Sequence, residues 1–144
     1  KTVTVTVKNT GNTPVVEAFW VDLYFDPSRV PDLNEPWDTL ASQGVAWGLA
    51  GSDLPLNPGQ TIVLTLANAT PGEGLTSLPP YPLGATVYVL ADSVDFSTSS
   101  GAVRETNERN NLAQSTVGAA GSSTSVQARS TAQRPVREDL PGRR

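Results

Sequence analysis

Four carboxylates bracket one loop late in the chain: Asp92, Asp95, Glu105 and Glu108. Two of them fall in VRETNERNN, Val103 to Asn111, among arginines and asparagines. Carboxylate oxygens gathered on one loop could hold a hard cation, and Ca2+ takes roughly six to eight oxygens. The spacing matches no EF-hand, and there is no Asp-x-Asp-x-Asp run. The competing reading is a structural hairpin. Asn107, Asn110 and Asn111 can bond backbone groups and tolerate left-handed conformations, so they shape a turn and start a strand. Arg104 and Arg109 then offset neighbouring carboxylates in solvent at small gain. A weak Ca2+ site at Asp92, Asp95, Glu105 and Glu108 is the one cofactor the sequence offers.

The second chemistry-bearing set is aromatic. Trp37, Trp47 and Tyr81, with Trp20 and Tyr24 nearby in sequence, could form a stacking platform for sugar rings or an anchor for a protein partner. Core use competes with this, because each ring buries a large area and aromatics are only 6% of the chain. In that reading Trp37 and Trp47 fasten a long connection to the body.

Absences narrow the chemistry further. With no Cys there are no disulfides, thiolate metal sites or Cys nucleophiles, and with no His there is no Ser-His-Asp triad and no imidazole base. A carboxylate enzyme such as a two-acid glycosidase survives these exclusions, yet no acid pair stands out in an apolar setting. The chain is therefore read as no enzyme. Asn68-Ala69-Thr70 fits the glycosylation triplet, which chance often produces. No Met is present, so Lys1 is read as the start of a fragment or processed product. No apolar run approaches the roughly 20 residues of a membrane span.

The elements that must position these residues are strands. Thr2–Lys8 alternates Thr and Val, which puts Val3, Val5 and Val7 on a buried face. After the turn cluster NTGNTP, Phe19, Val21, Leu23 and Phe25 share one face. Trp20, Asp22, Tyr24 and Asp26 share the other, expected to be half exposed. A short strand is expected near Val45–Trp47 within the Pro- and Gly-rich stretch 27–59. Gln60–Ala67 follows with Ile62, Leu64 and Leu66 inward, then Ala85–Ser93 with Val87 and Val89 inward, then a long hairpin loop and a polar last strand, Asn110–Val117.

Residues 1–117 carry twelve acids against five bases, and residues 118–144 carry two against five. An acidic body repels phosphates, so its net charge disfavours nucleic-acid binding, and no nucleic-acid partner is expected. Residues 118–144 hold almost no large apolar side chain, so they are expected to form a disordered tail or interdomain linker.

Three stretches in order carry a family resemblance: TVTVTVKNTGNTPVVEAFWVDLYFDP, LGATVYVLADS and GAVRETNERNN. Together they resemble CARDB, the cell-adhesion-related domain found in bacteria. The resemblance covers roughly residues 1–117, outside much of 27–59 and 68–82, within a domain of ordinary size. It implies an immunoglobulin-like module of secreted or surface-attached bacterial proteins, with no catalytic residues to carry over. It also implies a further strand ahead of Lys1, whose absence would leave an exposed edge beside Thr2–Lys8.

The expected fold is thus an all-β, immunoglobulin-like antiparallel sandwich of about seven strands, the family's first being absent, followed by the tail. The expected function is a non-catalytic extracellular structural or adhesion module, spacer or protein-binding domain. The alternative is a carbohydrate-binding module using Trp37, Trp47 and Tyr81. Partners are neighbouring domains of the same polypeptide, or a protein or glycan at the cell surface.

Overall fold

The computed structural model describes residues 2–105, 107–118, 124–128 and 140–143, with Glu108 and residues 124–128 as backbone only. The chain is an all-β sandwich of two sheets. The first sheet has the order β4-β1-β7 and the second β3-β2-β5-β6. The strands are β1 (Thr4–Asn9), β2 (Phe19–Phe25), β3 (Gln43–Leu49), β4 (Thr61–Thr65), β5 (Thr86–Ala91), β6 (Leu112–Thr116) and β7 (Thr124–Ala128). The one helix of α type among the described residues, α1 (Trp37–Leu40), is a single turn. All strand pairs are antiparallel except β1 with β7.

The core lies between the sheets and follows the alternation of the strands. Val5 and Val7 of β1 face Phe19, Val21, Leu23 and Phe25 of β2, with Leu64 of β4 and Val87 and Val89 of β5. Val3, Ile62 and Leu66 pack against this cluster. These positions are the ones the period of two assigns inward, because successive side chains leave a strand on opposite faces.

β1 lies between β4 and β7, so the edge expected beside Thr2–Lys8 is covered by the chain's own later strand. Of the stretch 118–144, expected as tail or linker, two pieces have a described place: β7, and Leu140–Arg143 against the second sheet. Residues 119–123, 129–139 and 144 lie outside the described residues.

Two further expectations change. The strand near Val45–Trp47 is longer, seven residues paired with all of β2. The outer face of β2 is buried rather than half exposed: Trp20, Asp22 and Tyr24 are as covered as the inner set. Alternation sets which face a residue takes. It cannot reveal what a distant segment lays over that face.

Candidate functional site

The outer face of the second sheet holds a buried polar cluster centred on Asp22. On β2 it presents Trp20, Asp22 and Tyr24. Directly opposite on β3 stand Gly48, Ala46 and Gly44. β3 therefore alternates small residues outward with Val45, Trp47 and Leu49 inward. The small residues make a low floor beside the tall side chains of β2, and two groups from elsewhere fill it. The Trp37 ring covers Gly44, where an added Cβ would come within 2.5 Å of it. Leu140 covers Gly48, where an added Cβ would meet Leu140 Cδ1 at 2.3 Å.

Asp22 is at the centre and has no solvent exposure. Its Oδ1 accepts from Ser93 Oγ at 2.6 Å and from Arg143 NH1 at 2.6 Å. Its Oδ2 accepts from the Trp37 amide at 2.8 Å and from Arg143 NH2 at 2.7 Å. Four donors thus satisfy the two oxygens, the condition for keeping a carboxylate charged away from water. Ser93 is aimed by a kink: Asp92 takes φ 53°, the Ser93 amide donates to Trp20 O, and its carbonyl accepts from the Asn34 amide.

Arg143 is held on three sides. The fork on Asp22 is bidentate, the guanidinium carbon lies 4.6 Å from the centre of the Trp20 ring, and Nε stands 3.2 Å from Glu73 Oε2. The last contact is an ion pair whose angle makes no hydrogen bond. Burial works against the guanidinium charge, but the hydrogen bonds and charge of Asp22, with the charge of Glu73, outweigh it and raise the pKa. Trp20 Nε1 donates to Pro141 O at 2.6 Å, fixing the backbone of the segment as well. Leu140 completes an apolar patch with Trp20, Trp37, Ala46 and Val94.

Glu73 reaches the site because its loop runs along the outer edge of β3. The Ala46 amide donates to Glu73 O, the Thr70 amide to Ala46 O, and the Leu75 amide to Gly44 O. Gly74 has φ 126° and lies so close that an added Cβ would be 2.2 Å from Gly44 O. The loop covers an edge that would otherwise present unpaired backbone groups. Tyr24 closes the other end, its hydroxyl donating to Glu35 O at 2.7 Å. Burial, then the charge of Asp22, push this phenol well above the ordinary tyrosine range.

The sequence-predicted acids are elsewhere. Asp92 and Asp95 are both buried and serve the loop. Asp92 accepts the Ala102 and Val103 amides at 2.8 Å each, while Asp95 Oδ1 accepts from the amide and hydroxyl of Ser97. Asn34 ties this loop to the 27–36 connection, accepting the Asp95 amide and donating to Thr98 O. Glu105 is largely buried, and the Glu108 side chain lies outside the described residues. Among the described residues no three His, Cys, Asp or Glu are grouped to hold a metal ion.

The predicted aromatic set is not brought to one surface. Trp47 is 1% exposed in the inter-sheet core, with Nε1 donating to Thr65 O. Tyr81 is stacked on Phe25 at 4.5 Å on that same inner side, its hydroxyl bonded to Gln43 Oε1. Trp37 lies on the outer face.

Sequence reasoning missed Asp22, Ser93, Glu73 and Arg143 as one site. One signal was available: GVAWG, Gly44 to Gly48, alternates small with large, which marks a sheet face prepared for something to lie close. No family model, curated protein or solved structure matches the chain. Among the described residues no helix is long and apolar enough to cross a membrane.

Proposed function

We propose that the chain is a non-catalytic module of CARDB type, a structural, adhesive or protein-binding domain of a larger secreted or surface-attached bacterial protein. One observation supports this reading: Asn9, Asp92 and Asn107, polar residues of the resembling stretches, hold loop backbone. Asn9 is buried, donates from Nδ2 to Thr13 O and Leu56 O, and accepts the Gly11 amide. Asp92 holds the amides of Ala102 and Val103, and Asn107 accepts the Arg109 amide. VRETNERNN carries the chain from the long loop into β6 through a short 3-10 turn at Glu108–Asn111, which Asn107 caps. Residues used as loop scaffolds are poor candidates for turnover chemistry, which needs groups free to change protonation or partner.

The test is surface exposure in the bacterium that makes the protein. A membrane-impermeant amine label should modify the chain on intact cells, or in the medium, as fully as in a lysate. Protection until lysis overturns the extracellular assignment. Sugar stacking on Trp37, Trp47 and Tyr81 gains no support from their placement on two faces of the second sheet; glycan-array hits abolished by Trp37→Ala would reinstate it.

A further inference from the structure

We propose that the Asp22 slot is a recognition site for an extended arginine-bearing peptide, with leucine three and proline two residues before the arginine, and that Leu140–Arg143 occupies it as an exchangeable latch. This deepens the protein-binding half of the preceding reading and rests on it.

The receptor half belongs to the body and does not depend on its occupant. Ser93 Oγ and the Trp37 amide hold the Asp22 carboxylate at 2.6 and 2.8 Å, so its two outward lone pairs stay aimed when Arg143 leaves. Glu73 is fixed by the backbone pairing of its loop with β3. The Trp20 ring supplies a flat face, and Gly48 leaves the hollow that Leu140 fills. Each element matches one property of the ligand. A bidentate carboxylate fits a planar fork, an aromatic face takes a weakly hydrated cation, and a shallow hollow takes a branched apolar side chain. A lysine meets only part of this, since its ammonium cannot bridge both oxygens in one plane.

The ligand half is short. It comprises four described residues, the last of them, Arg143, 121 positions from Asp22 in sequence, and is bound through two side chains and one carbonyl. Covering a sheet face needs no charge, and a buried ion pair often stabilises less than apolar residues of the same volume. A carboxylate held there by two donors of the body, Ser93 Oγ and the Trp37 amide, selects what lies on its two remaining lone pairs. The last described residues of the chain match that selection, so the segment competes with any partner peptide of the same chemistry. Being tethered, it does so at high effective concentration.

The probe is a synthetic, fluorescently labelled Leu-Pro-Gly-Arg-Arg peptide, titrated against the full chain. Arg143→Ala empties the arginine pocket and should bind it at least ~10-fold more tightly than the native chain, whose latch competes. A peptide with lysine at the first arginine should bind ~10-fold more weakly, and Asp22→Asn combined with Arg143→Ala should lose specific binding. A cooperatively melting Arg143→Ala chain that ignores the peptide overturns the proposal, as does equal binding by the Asp22→Asn combination. Should Arg143→Ala fail to fold, the native chain decides: excess peptide must move the Gly142 amide resonance to its unbound position, and an unmoved resonance overturns the latch. Failure here leaves the spacer and surface assignment standing, whereas failure of surface labelling leaves the slot standing.

Discussion

Asp22 and Arg143 are 121 residues apart in the chain and meet in a two-pronged ion pair of 2.6 and 2.7 Å. They meet on a sheet face that the alternation of β2 would leave to solvent. The pair joins the last described residues to the second strand, and its energetics follow from its burial.

Removing one charge should cost far more than removing both. Arg143→Ala leaves Asp22 buried with two donors instead of four, and breaking a buried pair in this way costs about 3–5 kcal/mol. The double change Asp22→Leu with Arg143→Leu should recover most of that, because the desolvation cost disappears with the charges. Urea denaturation of the two single variants and the double variant measures this. Single losses below about 0.5 kcal/mol would mean that the pair behaves as a surface one.

The two outer glycines of β3 should respond differently to alanine. At Gly44 the new methyl meets the backbone Leu23 O and the Trp37 ring, each at 2.5 Å, and a strand carbonyl cannot yield. Overpacking of this kind costs about 1–3 kcal/mol, and Gly44→Ala should reach the upper end. At Gly48 the methyl meets the far end of the flexible Leu140 side chain, which can turn aside while Arg143 stays on Asp22. Gly48→Ala should therefore barely change the melting temperature while shifting the Gly142 and Arg143 amide resonances. Equal destabilisation by both would show Leu140 to be as fixed as a strand.

Asp92 sets the long loop. Its carboxylate serves two buried amides, and Gly101 lies so close that an added Cβ would be 2.1 Å from Asp92 Oδ2. Asp92→Ala should cost roughly 1–3 kcal/mol for each amide left without an acceptor. The loss should be the same in a chelator as in millimolar Ca2+. A native chain that gains melting temperature with Ca2+, and a variant that does not, would assign the loop to metal instead.

Stability should fall off at both extremes of pH, for different groups. Burial raises the Tyr24 pKa, so its contribution is complete below the unfolded value of about 10 and is lost as pH rises through the folded value. Absorbance at 295 nm should show Tyr24 ionising only together with unfolding, and Tyr24→Phe should remove that coupling. On the acid side, the hydrogen bond from Arg29 holds Glu35 below the ordinary carboxylate range. Its contribution is present above the unfolded value of about 4.3 and is lost as pH falls through the folded one. Glu35→Gln should flatten the acid limb only slightly, since Arg29 is exposed and water screens the pair.

Much of the fold is legible in the residues. The Thr-Val alternation of β1 and the apolar positions of β2, β4 and β5 assign a buried face each, and the sheets close on those faces. VRETNERNN reads as a turn into a strand, and Asn107 caps that turn. The site was not legible because its parts lie on separate local patterns. Asp22 looks like the polar position of an alternating strand, Glu73 like a loop acid, and Arg143 like a charge in a polar terminal stretch.

By itself the sequence determined the class of structure, since strand periodicity and turn residues act within a few positions along the chain. It also excluded thiol and imidazole chemistry outright. Tertiary structure alone decided that the outer face of β2 is covered, that Trp47 belongs to the core while Trp37 does not, and that Arg143 completes Asp22. Those outcomes depend on which distant segments meet. A charge pair across 121 residues leaves no period in sequence, and only its burial makes it strong enough to matter.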